Sequence, residues 1–346
     1  MQSLIYTISL PLAVLLGFTA HRAGLCMVRT VAEIISTRKA YMLVTILKTV
    51  LWTMVVSVSI FLFLPDAAAP NQSYAITAAA IIGGLLFGIG AAVNGGCALS
   101  TLGHLANGNL WMLTTIFGFC SGAAGLSIMA PFVEPNISLT PLLFKAPRPF
   151  ILGVLALFWL LLCWEIARLW KSRAKGKSWI QLFLSRYYRL STAALILGFS
   201  GGVLYLLHGS WTYSNALRRQ VQSLWQPIDQ SLTINLLLFI GLFCGMLLST
   251  WQRGSFRPRW RRMQTWPRHL IGGAFMGAGA VMIPGGNDTL MLKSLPGLSP
   301  HAVPAFFALL LGVSVTLLFI QLITGRSLRI VCTNDICQAE YSKDNK

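Results

Sequence analysis

The sequence predicts an all-α polytopic membrane protein of about nine transmembrane helices plus short re-entrant helices, arranged as two inverted, pseudo-symmetric halves. Three observations carry that expectation. The 346 residues are 55% hydrophobic and only 10% charged, with a mean hydropathy of +0.68, whereas a soluble domain is about 25% charged. Nine apolar stretches are long enough to cross about 30 Å of hydrocarbon. Two glycine-rich breaks read as copies: Gly83-Gly84, Gly88-Ile89-Gly90-Ala91 and Gly95-Gly96-Cys97 match Gly272-Gly273, Gly277-Ala278-Gly279-Ala280 and Gly285-Gly286-Asn287. The first four glycines share one offset of 189, and a single inserted residue brings the closing pairs into register.

The elements follow in order. Residues 3–20 form the first span, which has no basic n-region and no small-residue cleavage site before His21-Arg22, so it reads as a mature helix. Residues 23–35 are a few helical turns, too short to span at about 1.5 Å per residue. The second span, 41–64, carries Lys48, whose ammonium can snorkel along its stem. The third, 74–94, runs into the first break, and residues 98–105 form another short helix with His104 packed in it. Residues 109–132 make the fourth span and 149–170 the fifth, a connector. After a basic hinge, 190–208 repeats the first span weakly, Leu197-Gly198-Phe199-Ser200 echoing Leu16-Gly17-Phe18-Thr19. Residues 211–230 alternate aromatic, basic and polar side chains and read as an amphipathic helix on the outer surface. Spans 232–252, 269–286 and 300–323 complete the set, the eighth ending in the second break before the short segment 288–295. The divisions are therefore 1–170, a first half with its connector; 171–189, a cytoplasmic hinge; 190–323, a second and inverted half; and 324–346, a cytoplasmic tail.

The formal net charge of +18 would suggest nucleic acid in a soluble protein, but the distribution of the 27 Lys and Arg excludes that partner. With connections numbered in order, 21 of the 27 fall on the odd-numbered ones and the tail. The positive-inside rule then places the N-terminus outside and the C-terminus in the cytoplasm of an inner-membrane protein. The basic residues mark topology and contact with the lipid bilayer. The third span runs inward and the eighth outward, so the two breaks meet the membrane middle from opposite faces. Irregular backbone is tolerated at that depth only where it lines a protein-enclosed cavity, and matched breaks in two halves point to a solute path.

Seven cysteines, an odd number, do not suggest a disulfide framework, and free thiols are expected, including Cys332 and Cys337. Cys120, Cys163 and Cys244 read as packing residues in regular spans. Cys97 differs, because it closes a break: Asn94, Gly95 and Gly96 let the backbone approach closely, and the next helix start suits an anion. Cys26 lies between Arg22 and Arg29. Either these arginines supply positive potential beside the thiol or they are inner-face markers. In the second break Gly286 is followed by Asn287, with two donors and an acceptor for a polar solute, and by Asp288, which could pair with Lys293, cap the following helix or bind a proton. No Walker A pattern, histidine-rich run or hydrolase elbow occurs. The chain thus reads as a permease and not an enzyme, with no catalytic residue, metal or cofactor; the alternatives are a membrane sulfurtransferase or thiol-redox protein using a persulfide cysteine, and an accessory subunit of a larger complex.

At Arg22-Ala-Gly-Leu-Cys26, at Gly88-Ile-Gly-Ala-Ala-Val-Asn-Gly-Gly-Cys97, and at Gly277-Ala-Gly-Ala with Pro284-Gly-Gly-Asn287-Asp288, the chain resembles the YeeE/YedE sulfur-transport family. The resemblance extends from the first span to about residue 312. It implies thiosulfate uptake through an hourglass in which cysteines contact the anion in turn, with a cytoplasmic sulfur-carrier protein as a possible partner. Cys26 and Cys97 match the family's first-half cysteines. Asn287 stands where the third would be, which puts a related sulfur species alongside thiosulfate.

Overall fold

The computed structural model describes residues 2–63, 73–129, 138–139, 147–171, 185, 187–224, 231–260, 265–333 and 335–343. The first half comprises α1 (Gln2–Ala23), α2 (Met27–Thr37), α3 (Tyr41–Phe63), α4 (Ala78–Asn94), α5 (Ala98–Ala106), α6 (Met112–Met129) and the connector α7 (Arg148–Lys171), with a small strand pair β1 (Ser73–Tyr74) and β2 (Ser138–Leu139). The second comprises α8 (Leu190–His208), α9 (Tyr213–Gln222), α10 (Ser231–Arg253), α11 (Trp266–Met282), α12 (Asn287–Thr289), which passes into a π-turn over Leu290–Ser294, and α13 (Ala302–Thr324). A hairpin of β3 (Arg326–Thr333) and β4 (Ile336–Lys343) ends the chain. Of the hinge expected at 171–189, residues 172–184 and 186 lie outside the described residues.

Among the described residues eight helical runs are long and apolar enough to cross a membrane, and α11 with the α12 segment makes a ninth, bent by 44°. The chain is an all-α, multi-pass membrane protein. Its outer shell is what lipid requires: Phe117, Leu160, Trp164, Phe307 and Leu322 are exposed, while Phe87, Ala91, Ala280 and Leu309 are fully buried at the centre.

Duplication is visible in the packing. α11 lies along α6 as α13 lies along α4, and α10 lies along α1 as α8 lies along α3. The self-matching pairs α4 with α11 and α1 with α8 are in contact as well. Each of these largest helix contacts joins one half to the other. Five spans precede α8, an odd number, so the second half is inverted relative to the first.

Glycine makes the central crossing possible. A methyl on Gly90 would lie 2.6 Å from the Gly272 carbonyl oxygen, and one on Gly279 would lie 2.6 Å from that of Gly83. Residue 90 meets 272 and 83 meets 279, so α4 and α11 run antiparallel with their backbones in contact. The outer pairs repeat the device: Gly88 abuts the Leu309 carbonyl and Gly277 that of Phe119. Without side chains between them, helices gain close van der Waals contact, the main attraction available where lipid is as apolar as leucine.

Three expectations are corrected. Lys48 does not snorkel: its Nζ sits 2.6 Å from Glu165 Oε1, which also receives Arg168 Nη2 at 2.7 Å, because a buried carboxylate from α7 is the nearer charge. Cys163 and Cys244 do not pack inward but are exposed on the outer surface. Cys332 and Cys337 are disulfide-bonded, since they are direct cross-strand partners in the hairpin. The tail is also no free appendage. β3 packs on α2, and Asp335 receives the Leu190 N–H on its carbonyl at 2.8 Å and the Ser191 N–H on Oδ2 at 3.0 Å, satisfying amides at the start of α8 that no helical turn precedes.

Candidate functional site

The first break begins where Gly95 ends α4 in the left-handed conformation, φ 82°, which costs a glycine nothing. The chain turns through Gly96, and Cys97 precedes α5 in extended backbone. Cys26 occupies the same place before α2. The two residues meet: the Cys97 N–H donates to Cys26 Sγ at 3.5 Å, Cys26 Sγ donates to Ser100 Oγ at 3.3 Å, and Ser100 Oγ donates to the Cys97 carbonyl at 3.0 Å. Both thiols are buried, Cys97 completely. Two helix starts, of 11 and 9 residues, thus converge on one pair of thiols, and each start carries partial positive charge.

Asn94 holds this loop. Its Nδ2 donates to the Gly96 carbonyl and to Thr101 Oγ1 at 2.9 and 3.0 Å, while Oδ1 accepts from Thr115 Oγ1 at 2.8 Å and lies 2.9 Å from His269 Nδ1. An amide so occupied positions the break and has little left for a solute. Gly95 is exposed beside Arg268, away from the thiols.

On one side the thiols adjoin a vestibule of about 310 Å³ that reaches Ser100, room for about ten waters. Arg22, Arg29 and Arg253 stand in its wall with His21 and His104, and no acidic residue lines it among the described residues. Arg22 is buried in that wall. It donates to Ser249 Oγ at 3.2 Å, to Gln252 Oε1 at 2.6 Å and to the Ser185 carbonyl, and lies over the Phe18 ring at 4.5 Å.

The second break is built differently. Pro284 and Gly285 turn the chain at φ 23° and 127°, and Gly286 precedes α12. Ser214, at the start of α9, closes it: the Gly286 N–H donates to Ser214 Oγ at 2.7 Å, and Asp288 receives the Ser214 N–H on Oδ2 at 2.9 Å and the Ser214 hydroxyl on Oδ1. Thr212 and Thr289 hydroxyls lie 2.6 Å apart beside them. Asp288 therefore clasps α9, and Lys293 turns instead to Ser210 Oγ. The reading of 211–230 as a surface helix is corrected here. Trp211, Tyr213, Ser214 and Asn215 are buried, because α9 inserts its start into the second break as α2 does into the first. Comparing the place of α9 in the repeat with that of α2, rather than residue identities, would have revealed Ser214.

Asn287 is buried, and its Oδ1 has no hydrogen-bond partner among the described residues. An orphaned amide oxygen at such a site is costly to leave dry, and as an acceptor it suits a donor such as water. α12 and α9 both pack on α5, so the breaks adjoin. Cys26, Cys97 and Ser100 form one cluster; Gly286, Asn287 and Asp288 form another against the same short helix. The vestibule reaches the first cluster and not the second.

Replacing Ser214 with alanine leaves the Gly286 N–H and an Asp288 oxygen unmet in a buried site, at a cost of about 2–3 kcal/mol. Thermal unfolding in detergent should fall by several degrees for Ser214→Ala and not for Ser223→Ala, whose hydroxyl is exposed. Equal melting of the two variants would contradict the clasp.

A family model described as sulphur transport matches residues 22–315. No curated protein matches the chain.

Proposed function

This chain belongs to the sulphur-transport family, and from that premise we propose that it is a permease for a small sulfur-containing anion, thiosulfate or a related species. The observation that carries this reading is the meeting of Cys26 and Cys97 at two helix starts behind a vestibule walled by arginines. A thiol S–H is a weak, polarisable donor, suited to a soft sulfur anion and poorly suited to compete for strongly hydrated sulfate. Helix starts and arginine potential lower the cost of carrying negative charge to that depth. On the other break it is the amide N–H groups of Asn287, not its acceptor Oδ1, that could donate to the anion. No covalent step is needed, so the protein acts as a transporter and not as an enzyme.

With the basic face in the cytoplasm of the inner membrane, the vestibule is the exit, the N-terminus lies outside, and the anion meets Asn287 before the thiols. A cytoplasmic sulfur-carrier protein would collect it at the vestibule mouth.

Purified protein in liposomes should accumulate labelled thiosulfate, and unlabelled thiosulfate should displace it roughly tenfold more effectively than sulfate does, a difference of about 1.4 kcal/mol. Equal displacement by sulfate would remove the thiols from recognition. Absence of uptake by the purified protein would leave an accessory role in a larger complex as the better account.

A further inference from the structure

A second cavity, of about 800 Å³, lies apart from the vestibule, between the start of α3, the end of α7 and the start of α8. Lys39, Lys48, Arg168 and Arg189 line it, with Asp335 as its acid. Lys48 and Arg168 converge on the buried Glu165, whose single charge cancels one of theirs, and Asp335 is engaged with the Ser191 amide. Among the described residues the lining carries four basic groups and one acid. The surroundings are apolar and face outward: Val44, Leu47 and Trp170 are 47%, 50% and 65% exposed. α7 joins the bundle chiefly through α3, so this space sits beside the most thinly packed span.

A free anion would be met by the cations but not by the apolar flanks. A ligand carrying phosphate at one end and hydrocarbon at the other is met by both. We propose that the cavity holds the phosphodiester headgroup of an anionic phospholipid from the leaflet on the basic face, with its acyl chains along α3 and α7, and that this lipid fixes α7 to the bundle. Arg168 and Arg189 present planar guanidinium groups that match phosphate oxygens in pairs, and Lys39 adds a point charge at the rim, near the Tyr41 ring. Basic pockets between spans recognise anionic headgroups in this way.

The test is thermal unfolding of the purified full-length chain in neutral detergent with added phosphatidylglycerol, phosphatidylcholine or inorganic phosphate. Phosphatidylglycerol should raise the midpoint by several degrees and the other two should not, since a ligand stabilises only the state that binds it. The double variant K39Q/R189Q should lose the shift. Should that variant fail to fold, Lys39→Gln alone should reduce the anionic lipid retained through purification, measured by mass spectrometry. An equal response to phosphatidylcholine or to inorganic phosphate overturns the proposal, as does a response that survives the substitutions.

Discussion

Cys97→Ala is expected to lower anion uptake by about a hundredfold, equivalent to about 2.7 kcal/mol of barrier, while the protein remains folded. The separation of these effects comes from which atoms of Cys97 hold the break. Its N–H binds Cys26 Sγ and its carbonyl receives Ser100 and Thr101, and alanine keeps both. What disappears is the Sγ, a small buried atom that also meets the Cys26 thiol and the Ser100 and Met27 amides, so its removal costs about 1–2 kcal/mol. Cys26 is less simple, because its sulfur accepts the Cys97 amide, and alanine there would strand a buried N–H at about 1–3 kcal/mol. Cys26→Ser keeps an acceptor and replaces soft sulfur by oxygen, so it should reduce uptake while folding is retained. Uptake per amount of monodisperse protein is the measure for both. Wild-type rates in Cys97→Ala would end the role assigned to that thiol.

Gly277→Ala should have the largest effect on assembly. A methyl there would lie 2.0 Å from the Phe119 carbonyl oxygen and 2.8 Å from its carbon, and neither atom is free to move because both belong to helix backbone. α11 and α6 must then separate, at a cost of about 3 kcal/mol or more. The expected result is a severe fall in folded yield and melting temperature. Gly125→Ala on α6 is the control, since nothing lies within 4 Å of its methyl position, and alanine improves helix propensity by about 1 kcal/mol. If the two variants behave alike, the close crossing is not what holds these helices.

Spans and duplication were legible because they are local and periodic. Residues 190–208 were read to the residue, and α3, α7 and α10 to within one, since membrane-length apolar runs have few alternative readings. The repeated glycines foretold the inverted halves, and the structure shows why they repeat: 83 and 90 meet 279 and 272 across one crossing. The apolar pattern carries the eighth span to 286, whereas α11 stops at Met282, because Pro284 and Gly285 break it within a stretch that is still apolar. What escaped were pairings across long separations. Ser214 reaches Gly286 over 72 positions and Lys48 reaches Glu165 over 117, and no periodicity signals either. Asn94 was legible as part of the break, but its role as the lock of that loop depends on Thr115 and His269, which only the folded chain brings near.

The principal helix contacts all run between the halves: α13 covers α4, α6 covers α11, α10 covers α1 and α3 covers α8. Each half closes its own break, Cys26 against Cys97 in the first and Ser214 against Gly286 in the second, yet its spans are covered by helices of the other, as in an exchanged dimer fused into one polypeptide. Two such halves cannot rock past each other as rigid bodies without tearing backbone contacts that admit not even a methyl group. For the proposed anion path, this frame favours opening by a small local movement at the short helices over a displacement of one half past the other.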